Sequence, residues 1–174
     1  MKPKGILMVE HRRIEKYLQL VKSEIDRIDI SGSTDPYFIF TLIDFFRNYA
    51  DKKHHGKEED ILFRLLEYKK LSKPDQTVMN DLMEEHITAR RTVSELLDAV
   101  KCYQDGDLSR LAIIKEKLRF LDDFYPRHIS KEDKIFFPNV DRYFSDGELE
   151  ALSNEFNDFD RQMTCEKYDG LTRK

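Results

Sequence analysis

The sequence has 174 residues, the size of a single domain with one core, and its 40% hydrophobic content with 12 Phe can fill that core. Charged residues make up 37%, and with six Gly and five Pro the composition favours helices over sheets. A net charge of −4 without a basic block argues against nucleic-acid binding, and the apolar run before Val9 is too short for a signal peptide or membrane span. These features make a cytoplasmic protein the expectation. Cys102 and Cys165 have no Cys-x-x-Cys spacing and read as ordinary reduced thiols.

Taken in chain order, the hydrophobic periodicity predicts five helices. Leu7, Ile14, Leu18, Val21 and Ile25 form a stripe that predicts a first helix over about residues 4–29. Ser31 to Pro36 reads as a loop, with Asp35 before Pro36 as a helix start. The second helix should run to about residue 69 with Ile39, Ile43, Phe46, Ala50, Ile61 and Leu65 on one side. Ser72-Lys73-Pro74 breaks the chain. A third helix follows with Met79, Leu82, Val93, Leu97 and Val100 inward, and Asp105-Gly106-Asp107 makes the next turn. The fourth helix should reach about residue 143 with Ile114, Leu121, Phe124, Ile135 and Asn139 inward, bent at Pro126. Ser145 and Glu148 match a capping box for a short fifth helix, and residues beyond about 164 are polar and expected to fray. Short connections imply antiparallel neighbours. The expected fold class is all-α: one domain over residues 1–174, with an antiparallel four-helix bundle over about 4–143 and the fifth helix and tail over about 145–174.

Four histidines, His11, His54, His86 and His128, fall on the inner edges of the four successive helices. Glu58 and Glu132 follow His54 and His128 by one helical turn, so each pair can present two ligands to one site. The two pairs recur in matching surroundings. His54-His-Gly-Lys-Glu58-Glu-Asp-Ile-Leu-Phe63 aligns with His128-Ile-Ser-Lys-Glu132-Asp-Lys-Ile-Phe-Phe137. The repeat suggests approximate two-fold symmetry, as a pair of bridged metals needs. Histidine with carboxylate suits iron, manganese or zinc. A lone histidine on an apolar face is more often a hydrogen-bonded core residue, but two inward carboxylates are costly unless paired or metal-bound. At about 100° per residue, His55 and Glu59 turn away from the apolar stripe and should be solvated or stand behind the ligands. The same phase prefers Glu132 to Asp133, puts Glu15 on the far side and turns Arg90 inward. Phe46, Phe120, Phe124 and Phe136 supply an apolar lining.

Glu10-His11-Arg-Arg-Ile14-Glu15, His54 to Phe63, Glu85-His86 and His128 to Pro138 together resemble the hemerythrin family, particularly its bacterial and archaeal cation-binding branch. The resemblance covers about residues 5–143. It implies an up-down-up-down bundle holding two oxo- or hydroxo-bridged iron ions, with His11, His54, Glu58, His86, His128 and Glu132 as ligands and the glutamates bridging. Oxygen-carrying members have a second histidine four residues after the third-helix ligand, where this chain has Arg90. That difference leads us to expect an extra exchangeable position on one iron. The four-histidine, two-glutamate set is more similar to proteins that repair iron–sulfur centres damaged by nitric oxide or oxidants; those usually carry a cysteine-bearing N-terminal domain that this sequence lacks. The resemblance implies a small ligand (dioxygen, nitric oxide or peroxide) and a redox partner protein. A metal- or oxygen-responsive sensor or interaction module without turnover is the alternative.

Overall fold

The computed structural model describes residues 1–163, and every regular element among them is helical. Helix α1 is Pro3–Ser31. Gly32 ends it in the left-handed region, with φ of 65°, and donates its N–H to the Ile28 carbonyl at 2.9 Å. Asp35 starts α2 by accepting from the Tyr37 N–H at 3.0 Å, with Pro36 in the first turn. Helix α2 covers residues 36–66 and changes pitch along its length. Pro36–Phe45 is α-helical, Phe46–His55 and Glu58–Phe63 are wider π turns, and Arg64–Leu66 returns to α. The Ser72 hydroxyl caps α3, Lys73–Gln104, by accepting from the Asp75 N–H at 3.3 Å.

A 3₁₀ turn at Leu108–Arg110 leads into α4, residues 111–140. It runs as an α-helix over Leu111–Lys131 with Pro126 inside it, then makes a π turn at Glu132–Phe136 and ends with Phe137–Val140. After a 3₁₀ turn at Asp141–Tyr143, Ser145 and Glu148 form the expected reciprocal capping box and open α5, Asp146–Gln162. Cys102 is exposed. Cys165 and the polar tail lie outside the described residues.

Each long helix packs on the next, and α1 also packs on α4, so four helices close around one core. Helix α5 lies against α1 and the second π turn of α2. Gly56 permits that approach, because a Cβ there would stand 3.0 Å from the Phe159 ring. The core has two apolar clusters. One gathers Ile14, Val21, Phe45, Leu96 and Leu121, and the other Leu7, Phe63, Leu82, Phe137 and Phe156. Between them runs a polar layer of buried His11, His54, Glu58, His86, His128 and Glu132.

The π turns correct part of the sequence-based register. A π turn closes i→i+5 hydrogen bonds, so each residue advances less around the axis than in an α-helix and a 100° wheel drifts out of phase. Leu66 is fully buried where Leu65 was expected, and Phe137 points inward in place of Ile135 and Asn139, beside the expected Phe136. Ile135 is 53% exposed. Phe120 is also partly exposed, stacked on the outer side of Phe124 at 5.4 Å instead of lining the core.

Truncating Phe156, the fully buried anchor of α5, should cost about 3–5 kcal/mol by urea denaturation. Removing the cap with Ser145→Ala should cost about 1 kcal/mol. Equal small losses for the two variants would mean that α5 does not fold as part of the core.

Candidate metal centre

The two glutamates lie between two pairs of histidines. Glu58 turns Oε1 toward His54 Nε2 at 3.6 Å and Oε2 toward His86 Nε2 at 3.5 Å. Glu132 turns Oε2 toward His11 Nε2 at 3.0 Å and Oε1 toward His128 Nε2 at 3.3 Å and His86 Nε2 at 3.8 Å. Each carboxylate therefore offers one oxygen to each histidine pair. The Nε2 atoms of His11 and His54 face each other at 2.9 Å. Ligand atoms of His11, His54, Glu58 and Glu132 lie within 4.8 Å of one another, as do those of His55, His86 and His128.

Tests of fit to a cation come from the buried polar atoms. Both oxygens of Glu58 and of Glu132, and the Nε2 atoms of His86 and His128, are buried without a hydrogen-bond partner. Buried polar atoms are normally satisfied, and an unpaired buried carboxylate is costly. A layer of imidazole nitrogens and carboxylate oxygens, unsatisfied by protein and converging from four helices, matches the donor set of iron, manganese or zinc.

The outer face of the layer fixes the orientation of each ring. His11 Nδ1 meets Asp133 at 2.7 Å, His54 Nδ1 meets Glu10 at 3.0 Å, His86 Nδ1 meets Glu59 at 2.6 Å and His128 Nδ1 meets Glu85 at 2.7 Å. A proton on each Nδ1 donates outward to a carboxylate, which leaves the Nε2 lone pair pointing inward for a metal. Every one of these carboxylates is held in turn by a cation. Arg12 bonds Asp133 at 2.5 Å, Arg90 bonds Glu59 at 2.7 Å, Lys57 bonds Glu10 and Lys131 bonds Glu85. The fully buried Lys57 also bonds Asp160 of α5 at 2.7 Å.

Electrostatics in the layer are those of charges awaiting a counter-charge. Burial pushes the Glu58 carboxyl well above its usual range, and the neighbouring Glu132 adds to the shift. Burial acts the same way on Glu132, but the imidazoles of His128, His11 and His86 outweigh it and hold that carboxylate well below its usual range. For His11, burial is outweighed by Asp133 and Glu132, which raise it to about 9. Burial, then the neighbouring imidazole of His11, pushes His54 well down.

All six residues expected from the sequence thus meet in one buried layer, and the choice of Glu132 over Asp133 agrees with their places: Glu132 is inside and Asp133 backs His11. The expectation that His55 turns away from the interior is overturned. It is 1% exposed and stacks on His86 with ring centroids 3.8 Å apart, because the π turn over Phe46–His55 brings both neighbouring histidines inward. Glu59 stands behind His86 as expected, and Arg90 is engaged with Asp51 and Glu59, each at 2.7 Å. Sequence reasoning did not assign Glu10, Glu85, Lys57 or Lys131. Their signal is in the repeat: a glutamate precedes both His11 and His86, and a lysine stands three residues after both His54 and His128.

The family model described as "Hemerythrin HHE cation binding domain" matches residues 3–140 and, a second time, 77–166. The chain is 26% identical over 156 residues to the F-box/LRR-repeat protein 5 of Danio rerio, covering 83% of this chain and 20% of that protein. It is 34% identical over 76 residues to the Zinc finger protein BRUTUS of Arabidopsis thaliana, covering 42% of this chain and 6% of that protein. The chain spans 20% or less of the length of these curated relatives.

Glu85→Gln should weaken metal binding about 10–100-fold with helix content unchanged, since the amide no longer favours the inward lone pair on His128. Equilibrium dialysis against a competing chelator measures this, and an unchanged affinity would remove the carboxylate from the site. Metal uptake also displaces protons from His11 and Glu58. Titration with Fe(II) in weakly buffered solution at neutral pH should release protons, and apparent affinity should fall as pH drops.

Proposed function

Because the chain belongs to the hemerythrin HHE cation-binding family, we propose that it is a non-haem diiron protein that binds or consumes dioxygen, nitric oxide or peroxide. The observation that supports this most is the arrangement of Glu58 and Glu132, each with one oxygen toward each histidine pair. In this reading His11 and His54 would hold one iron, His86 and His128 the other, and Glu58 and Glu132 would each offer an oxygen to both. Two irons so held supply a redox-active centre at which a diatomic molecule or peroxide exchanges.

The chain's own residues prepare that centre. Four carboxylates aim the imidazole lone pairs inward, and the apolar clusters on either side exclude bulk water. A cavity of about 230 Å³ between α2 and α3, lined by Phe46, Asp51, His55, Arg90, Val93 and Tyr125, reaches the buried layer at His55. Electrons for turnover come from a redox partner protein.

The fold reading that goes with this is a single-domain, up-down-up-down antiparallel bundle. Cross-helix pairs support it: Asp29 meets Lys115 while Arg12 meets Asp133, and Glu95 meets Lys117 while Glu85 meets Lys131. Among the described residues no helix is long and apolar enough to cross a membrane. We read the protein as cytoplasmic.

A metal- or oxygen-responsive sensor is the second reading. It is favoured by the linked contacts from His54 through Glu10 and Lys57 to Asp160, which tie a ligand to the surface helix α5. Faster hydrogen exchange in α5 after metal removal, without ligand consumption by the loaded protein, would select it.

Protein expressed with ample iron should carry about two irons per chain and absorb in the near ultraviolet. Chelation should lower its melting temperature yet leave the helices formed, because apolar clusters on both sides of the site support the fold. A single zinc with no second metal would contradict the diiron reading.

A further inference from the structure

We propose that His55 is a fifth imidazole ligand, bound to the same metal as His86 and His128. This rests on the dinuclear reading above and deepens it. Both ring nitrogens of His55 are buried without a hydrogen-bond partner, and the ring lies within the layer, 5.7 Å from the His128 ring and 3.8 Å from that of His86 by centroid. One nitrogen each of His55, His86 and His128 falls within a 4.8 Å spread. Metal–nitrogen bonds of about 2.1 Å put opposed nitrogens about 4.2 Å apart, so the spread suits one ion once the His55 ring turns out of its stack on His86 and brings its in-plane lone pair onto the ion.

The surroundings repeat the pattern of the other four histidines. Each of those has a carboxylate at Nδ1 and a cation behind the carboxylate. His55 Nδ1 lies 3.4 Å from Asp51 Oδ1, and Arg90 Nε donates to the same oxygen at 2.7 Å. Nε2 of His55 is then the atom left for the metal. Arg90 also holds Glu59, the carboxylate behind His86. One guanidinium therefore backs two histidines, and it stands one helical turn after His86 on α3. The imidazole that α3 does not supply there comes from α2, through the π turn that ends at His55.

The consequence is an unequal pair of metals. The one at His55, His86 and His128 has three imidazoles and two carboxylate oxygens, and the one at His11 and His54 has two of each. With one shared bridge, six-coordinate ions leave a single exchangeable position, on the His11 and His54 side. This revises the expectation that arginine at position 90 opens a second position.

The test compares the iron-loaded full chain with His55→Phe, which keeps a ring to stack on His86 but has no lone pair, and with His55→Ala. Iron per chain is measured against a competing chelator, and azide is titrated by visible absorption. The unmutated chain should hold two irons and bind one azide per pair. His55→Phe should lose one iron at least tenfold more readily and, while both irons remain, bind two azides. Added imidazole should restore His55→Ala to the unmutated behaviour. If the unmutated chain holds two irons and His55→Phe matches it in iron retention and azide stoichiometry, or imidazole does nothing for His55→Ala, the ligand role is overturned and the dinuclear reading stands. If the unmutated chain never holds two irons, both readings fall.

Discussion

Two glutamates buried face to face govern this structure. Glu58 and Glu132 lie at 0% exposure, in an interior where a carboxylate without a partner is costly. Among the described residues, none donates a hydrogen bond to either one. Burial pushes the Glu58 carboxyl well above its usual range, while three imidazoles hold Glu132 well below it. Divalent cations placed between the carboxylates and the imidazoles satisfy all of these atoms at once. The rest of the polar layer makes sense as support for that placement.

That support is built twice from one plan. Helices α1 and α3 each carry a Glu-His pair, and α2 and α4 each carry a histidine, then a lysine, a glutamate and a second acid. Glu10 of α1 crosses to His54 and Lys57 of α2, and Glu85 of α3 crosses to His128 and Lys131 of α4. In the other direction Glu59 of α2 backs His86 and Asp133 of α4 backs His11. Each helix thus positions a ring belonging to its neighbour, so the ligand geometry depends on helix packing and the packing gains charge-assisted hydrogen bonds from the ligands. The two halves part company at His55 and Ile129, which occupy equivalent places in the repeat: one is a buried imidazole at the layer and the other an aliphatic side chain of the neighbouring apolar cluster. The asymmetry of the centre begins there.

Much of this was legible in the sequence, for identifiable reasons. Helix ends were marked by residues whose local chemistry acts within a turn: Gly32, Asp35, Ser72 and the Ser145–Glu148 box. The residues of the buried layer were legible because the same His-x-x-x-Glu spacing occurs twice and because Glu132 and Asp133 differ by a large angle on any helix. What escaped was set by pitch. Phase counting assumes a uniform α-helix, and the π turns at Phe46–His55, Glu58–Phe63 and Glu132–Phe136 break that assumption at the site itself. His55, Leu66 and Phe137 are the residues misplaced by it. The orienting carboxylates escaped for another reason: their partners lie on other helices, and only the repeated Glu-His and His-x-x-Lys pairings hint at them.

The central claim is that this layer holds two metal ions joined by Glu58 and Glu132. Anomalous diffraction at the iron edge, from crystals of the iron-loaded chain, tests it most directly. The account predicts two peaks about 3.5–4 Å apart, between the two glutamates and among the imidazoles of the four helices. A single peak in the layer, or iron bound anywhere outside it, would contradict the account.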